Sequence, residues 1–208
     1  MRTKICGIRT EKALVSCCEM GVDYLGFNFV PNSRRLVSES VMRKAAGFNL
    51  QNKVGVFRNQ SYGSVSAAAA QYGLDYLQFH GEETPEFLSK FPAVSVWKAF
   101  CLNGDFKPAV LDTYKNSCSI FLFDSAVPGS GRQGNPGLLQ SAVSEARRLK
   151  MNYGVAGGIN PLNLRKFEII FPDAYLFDIA SGIEINGEFS AVKLRNLISL
   201  KERINLCG

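Results

Sequence analysis

The sequence predicts an α/β protein, a single-domain (β/α)8 barrel of the TIM type spanning residues 1–208. Three observations carry this expectation. Eight short runs of aliphatic and aromatic residues recur along the chain, each separated from the next by a stretch of helical character. The runs are apolar almost throughout, as strands are when a barrel interior covers one face and helices cover the other. The alternation is regular, so neighbouring strands must run parallel through right-handed crossovers, and eight such units suffice to close a ring.

The first unit is TKIC (3–6) and EKALVSCCEM (11–20), with Thr10 placed to cap the helix and Gly21 to end it. YLGFNF (24–29) leads to SESVMRKAAGF (38–48), opened by Ser38. KVGVF (53–57) leads to YGSVSAAAAQYG (62–73), closed by Gly73. YLQF (76–79) with TPEFLSKF (84–91) forms the fourth unit, and SVWKAF (95–100) with FKPAVLDTYKN (106–116) the fifth. SIFLFD (119–124) is followed by a glycine-rich loop and PGLLQSAVSEARRLK (136–150), with Pro136 in the opening turn. YGVAG (153–157) precedes PLNLRKFEII (161–170), where Pro161 is expected in the same role. AYLFDIA (174–180) and FSAVKLRNLISLKERI (189–204) complete the ring.

Composition narrows the function classes. With 46% hydrophobic and 20% charged residues, the chain can bury a core and is not disordered. The opening MRTKICGIRT passes at once into a strand pattern and no apolar run approaches a membrane span, so a cytoplasmic protein without membrane contact is expected. Six cysteines without CxxC spacing, and one histidine, give no reason to expect a metal. The net charge of +6 suits either an anionic ligand or a mildly basic surface. Its basic residues are scattered, without an aromatic-basic ladder, so nucleic acid is not expected as a partner.

In this fold, function sits where strands end. The positions to inspect are Lys4 and Cys6, Asn28 and Arg35, Arg58, His80, Lys98 and Asp124, then Gly157-Gly158 and Ser181-Gly182. AGGIN and ASGIE place small residues where backbone N–H groups can approach an oxyanion, the position at which such barrels commonly hold a phosphate beside a short extra helix. Asp124 ends an apolar strand and emerges at the mouth, where a carboxyl group can act as an acid or cap a helix. Cys6 is either a small core residue or a mouth-facing thiol, and a nearby cation or phosphate would favour its thiolate. His80 reads as a substrate-positioning or structural residue. Arg35 and Arg58 offer guanidinium forks for a carboxylate, or simply solvate the surface.

KICGIRT, DYLGFNFVPNSRR, KVGVFRN, YLQFHGEE, VWKAF, FLFDSAVPGSGRQG, VAGGINPLN and FDIASGIE resemble, in this order and over nearly the whole chain, the signatures of the phosphoribosylanthranilate isomerase family. The resemblance implies an aldose-ketose isomerase of tryptophan biosynthesis. It performs the Amadori rearrangement of N-(5-phosphoribosyl)anthranilate to 1-(2-carboxyphenylamino)-1-deoxyribulose 5-phosphate, without cofactor or metal. By the same resemblance Cys6 is the base and Asp124 the acid, Arg35 faces the anthranilate carboxylate, and Asp178 lies near the substrate, with His80 the candidate positioning residue beside them. Gly157, Gly158, Ser181 and Gly182 hold the phosphate. Either a monomer or a homodimer is compatible with this.

Three departures stand out. The family's SPR reads Ser33-Arg34-Arg35, so a neighbouring arginine competes with Arg35. Its GGTG loop reads Pro128-Gly129-Ser130-Gly131, and its Gly-x-Lys-Asp element is replaced by Gly187, Glu188, Phe189 and Ser190. Two alternatives accompany the main reading. One is a related phosphosugar isomerase of the histidine pathway, which resembles this chain but with an aspartate in place of Cys6. The other is a diverged, non-catalytic barrel that binds phosphate esters.

Overall fold

Strand pairing closes the sheet on itself. In the computed structural model, which describes residues 1–48, 50–125 and 135–207, strand β1 (Thr3–Cys6) pairs in parallel with β2 (Tyr24–Asn28) on one side and β8 (Leu176–Ile179) on the other. Between these, β3 (Lys53–Phe57), β4 (Tyr76–Phe79), β5 (Val96–Cys101), β6 (Ile120–Asp124) and β7 (Asn152–Ala156) pair in chain order. This is the expected (β/α)8 barrel, and closure leaves the eight-stranded sheet without an open edge. The altered loop Pro128-Gly129-Ser130-Gly131 lies outside the described residues.

Side chains alternate across each strand, so one parity fills the lumen and the other meets the helices. Tyr24, Val54, Trp97, Ala99, Ile120, Leu122, Ala156 and Leu176 pack together inside. Phe57, Phe79, Phe121, Phe123 and Phe177 join the larger core between sheet and helices. Trp97 is fully buried and stands edge-on to Tyr24 at 5.2 Å, while the Tyr24 and Tyr175 hydroxyls meet at 3.0 Å. Each such large apolar side chain contributes roughly 1.5–3 kcal/mol by leaving water. This packing plugs the lower lumen and leaves polar groups to the opposite end.

The helices are α1 (Glu11–Glu19), α2 (Glu39–Gly47), α3 (Tyr62–Tyr72), α4 (Pro85–Leu88), α5 (Leu111–Tyr114), α6 (Pro136–Arg148), α7 (Leu164–Ile170) and α8 (Ala191–Cys207). Thr10 and Ser38 cap as expected, accepting from the amides of Ala13 and Val41. Each such cap contributes about 1 kcal/mol. Two helices are far shorter than expected. In α4, the Ser89 hydroxyl donates back to the Pro85 carbonyl and Pro92 follows closely, so the helix stops after one turn. At α5, residues 108–110 form a 3-10 turn and leave a single α-turn. Pro161 does not open α7: it lies in a turn ahead of it, because Asn163 accepts from the Asn160 amide and donates to the Gly158 carbonyl.

A hairpin not anticipated from the sequence follows β8: β9 (Glu184–Ile185) pairs antiparallel with β10 (Glu188–Phe189). Its signal was present as Asn186-Gly187, both at positive φ (52° and 80°), as a tight type I′ turn requires.

Candidate active site

Strand parity decides which of the candidate residues face the mouth. Two positions beyond the lumen-filling Ala99, Leu122 and Leu176 stand Cys101, Asp124 and Asp178, at the C-terminal rim. Cys6 stands likewise two beyond Lys4, and His80 two beyond Gln78. Lys98 has the opposite parity and leaves the site: it is buried outside the barrel, donating to the Gly81 carbonyl at 2.6 Å and to Glu83 Oε2 at 2.9 Å. Glu83 in turn accepts from the amides of Asn59 and Gly81. Burial pushes the Glu83 carboxyl up, but Lys98 and the backbone amides of Asn59 and Glu83 itself outweigh it and hold the group below the usual range. Glu83 thus ties the loop after β3 to the loop carrying His80. Its signal was the last residue of the QFHGEE motif.

On the β1 side, Lys4 is fully buried and donates to Asp178 Oδ2 at 2.9 Å, its partner across the β1–β8 pairing. Asp178 Oδ1 is buried and has no hydrogen-bond partner. Cys6 is half-buried beside them, and its thiol is within hydrogen-bonding reach of Lys4. Burial pushes this thiol up, with Asp178 acting in the same direction, while Lys4 and Arg35 pull it down. The expected nearby cations are present in Lys4 and Arg35, but burial outweighs them and the net direction is upward, so the thiol is the resting form. Glycine makes room for this group, since a Cβ on Gly26 would lie 3.0 Å from Lys4 Cε and 3.1 Å from Cys6 Sγ.

Arg35 lies over Gly7, where a Cβ would come within 2.4 Å of the arginine Cδ. Its Nε and Nη2 are taken by a bidentate pair with Glu184 at 2.7 and 2.9 Å, so this guanidinium is anchored and not wholly free for a ligand. Arg34 is 69% exposed and reaches Glu184 only at 3.9 Å, which settles which arginine borders Cys6. Although the loop lacks the family's proline, Ser33 Oγ accepts from Asn28 Nδ2 and the Arg35 amide and fixes the turn instead.

Across the mouth, His80 Nε2 stands 3.7 Å from Asp124 Oδ2. Burial lowers the imidazole below its usual range despite Asp124, so His80 is neutral at pH 7. Arg58 is exposed at the same rim, where burial and Asp124 hold the Cys101 thiol up and Arg58 only partly offsets them. Among the described residues no group of three or more His, Cys, Asp or Glu is placed to hold a metal, and no helix is long and apolar enough to cross a membrane.

The loops after β7 and β8 meet in direct contact. Gly157 and Gly158 have φ of 98° and 70°, and the Gly158 carbonyl accepts from both Asn160 and Asn163 side chains. Residues Ser181–Ile183 form a 3-10 turn, the short extra helix expected there. Its first amides have no partner within the turn.

The family described as N-(5'phosphoribosyl)anthranilate (PRA) isomerase matches residues 3–199. The chain is 34% identical over 211 aligned residues to the N-(5'-phosphoribosyl)anthranilate isomerase of Bacillus subtilis, covering 97% of this chain and 94% of that protein. A crystal structure of phosphoribosyl anthranilate isomerase from Thermus thermophilus superposes with a TM-score of 0.81 at 33% identity, covering 98% of this chain and 100% of that one. Another, of the isomerase in complex with reduced 1-(o-carboxyphenylamino)-1-deoxyribulose 5-phosphate, gives a TM-score of 0.77 at 25% identity, covering 96% and 97%.

Proposed function

Because the chain belongs to the N-(5'-phosphoribosyl)anthranilate isomerase family, we propose that it carries out the Amadori rearrangement of N-(5-phosphoribosyl)anthranilate with Cys6 as base and Asp124 as acid. Asp124 gives its proton to the furanose ring oxygen, the C1′–O bond breaks, and the anilino nitrogen lone pair forms a C1′=N iminium. Cys6 removes the C2′ proton, and the electron pair moves into a C1′–C2′ double bond, leaving a neutral enolamine. The enolamine then tautomerises to the ketone, with a proton gained at C1′ and one lost from the enol oxygen. An acid at the leaving oxygen and a base at the carbon made acidic by the iminium are what each step needs.

The observation that carries this reading is the convergence of Cys6, Asp178, His80 and Asp124 at one rim. Arg35, beside Cys6 and held by Glu184 through two of its nitrogens, has Nη1 left for the anthranilate carboxylate. The unpartnered Asp178 Oδ1 suits a substrate hydroxyl, and neutral His80 positions the ring beside Asp124. Amides of Gly157, Gly158, Ser181 and Gly182 receive the phosphate. The chemistry needs only proton transfers, so no cofactor is invoked. One domain supplies every residue, as a monomer or homodimer in the cytoplasm.

The test is loss of substrate fluorescence, with phosphoribosylanthranilate generated in situ, for wild type, Cys6→Ser and Asp124→Asn. Wild-type decay with both variants slowed by about 10²–10⁴ is the expected result. Folded variants that keep wild-type turnover would remove these two residues from their roles.

A further inference from the structure

Lysine is almost never fully buried unless something holds its charge. Lys4 lies inside the barrel at 0% exposure, directly beneath Cys6 and paired with Asp178 at 2.9 Å. A buried ion pair is a poor source of stability, since apolar groups of similar volume commonly do as well or better. Trp97, Leu122 and Leu176 show that this lumen packs well with apolar residues. The missing side chain at Gly26 nevertheless keeps open the room that Lys4 and Cys6 need. An ammonium has three donors, and Asp178 Oδ2 takes one, leaving others for the sulfur.

We propose that Lys4 is the positioning residue of the base: a fixed cation beneath Cys6 that holds the sulfur and makes its thiolate attainable, with Asp178 as the counterweight that limits the effect. The other charged group acting on this thiol is Arg35, already matched by Glu184 through two hydrogen bonds, while neutral His80 and its neighbour Asp124 stand across the mouth. Burial holds the thiol up, so the thiolate is a minority of sites. Its share falls tenfold for each pH unit by which the thiol rises.

This rests on Cys6 being the base, and the experiment separates the two claims. The rate of Cys6 alkylation by iodoacetamide is followed against pH in the full-length wild type, Lys4→Met and Asp178→Asn, each with a Cys6→Ser counterpart to subtract other thiols. Lys4→Met is expected to raise the midpoint by about one to three pH units, and Asp178→Asn to lower it. For Lys4→Met, kcat should fall by about ten to a thousandfold with KM little changed. An unmoved midpoint in folded Lys4→Met, or shifts of the same sign in both variants, overturns the proposal. Should Lys4→Met fail to fold, Asp178→Asn alone decides, since an unchanged or raised midpoint overturns it. Wild-type turnover in Cys6→Ser would sink the base assignment and leave the alkylation result standing.

Discussion

At Gly182 a side chain has nowhere to go: a Cβ would fall 1.9 Å from the Ile159 carbonyl oxygen and 2.9 Å from Asn160 Cα. Both obstacles are backbone, so an added methyl must push the loops after β7 and β8 apart. The same separation displaces the amides proposed to hold the phosphate. Gly182→Ala is therefore expected to raise KM about tenfold or more with a smaller change in kcat, since phosphate contacts act alike in ground and transition states. Steady-state kinetics check this, and an unchanged KM would place the phosphate elsewhere. Arg35 illustrates how the surroundings of a candidate residue escape the sequence. The SRR motif pointed to a carboxylate clamp, yet only the folded chain brings Glu184 from the far end of the sequence to take two of its donors. Cys6 shows the same limit, because whether its thiol is raised or lowered depends on burial against the charges of Lys4, Arg35 and Asp178.

Among the elements, the lower rim is tied by Arg147 at the end of α6, which donates to Asp173 Oδ1 at 2.5 Å and Oδ2 at 2.8 Å, while the Tyr153 hydroxyl of β7 donates to the same carboxylate. The Arg147 hydrogen bonds hold the Asp173 carboxyl down at about 2, although partial burial acts against them. A depressed carboxyl stabilises the fold above its unfolded value of about 3.9, and this contribution is lost as pH falls toward 2. Asp173→Asn is expected to lower the Tm at pH 7, with the gap to wild type closing between about pH 4 and pH 2. The effect is modest, less than about 1 kcal/mol, because both partners are nearly half exposed. A gap that persists at pH 2 would assign the loss to packing. Elements with strong local signals were readable: Thr10 and Ser38 caps, and strands whose runs are apolar on both faces. The one-turn α4 and α5 were not, because their brevity comes from Ser89 bonding back to Pro85 and from the 3-10 turn at residues 108–110.

For the whole molecule, closure makes the ligand site and the fold interdependent: β1 and β8 pair directly, and both carry groups of the proposed site. A ligand that binds only the folded barrel raises its stability by RT ln(1 + [L]/Kd), about 2.7 kcal/mol at a hundredfold excess over Kd. A reduced analogue of the product is expected to raise the Tm of wild type in this concentration-dependent way, and that of Gly182→Ala only at higher concentrations. Equal shifts in the two proteins would remove the loops after β7 and β8 from ligand binding.

By itself the sequence determined the alternating plan of strands and helices, and hence the barrel, because periodicity, caps and turn residues are local properties of the chain. It also put Cys6, His80, Asp124 and Asp178 at strand ends, positions that any closed barrel turns toward its mouth. Only the tertiary structure decided what surrounds them. Parity sent Lys98 outward to Glu83 and Lys4 inward beneath Cys6. Barrel closure brought Asp178 and Glu184, some hundred and fifty residues or more away in sequence, against Lys4 and Arg35. Electrostatics acts through space and depends on burial, so the charge state of the site could not be read along the chain.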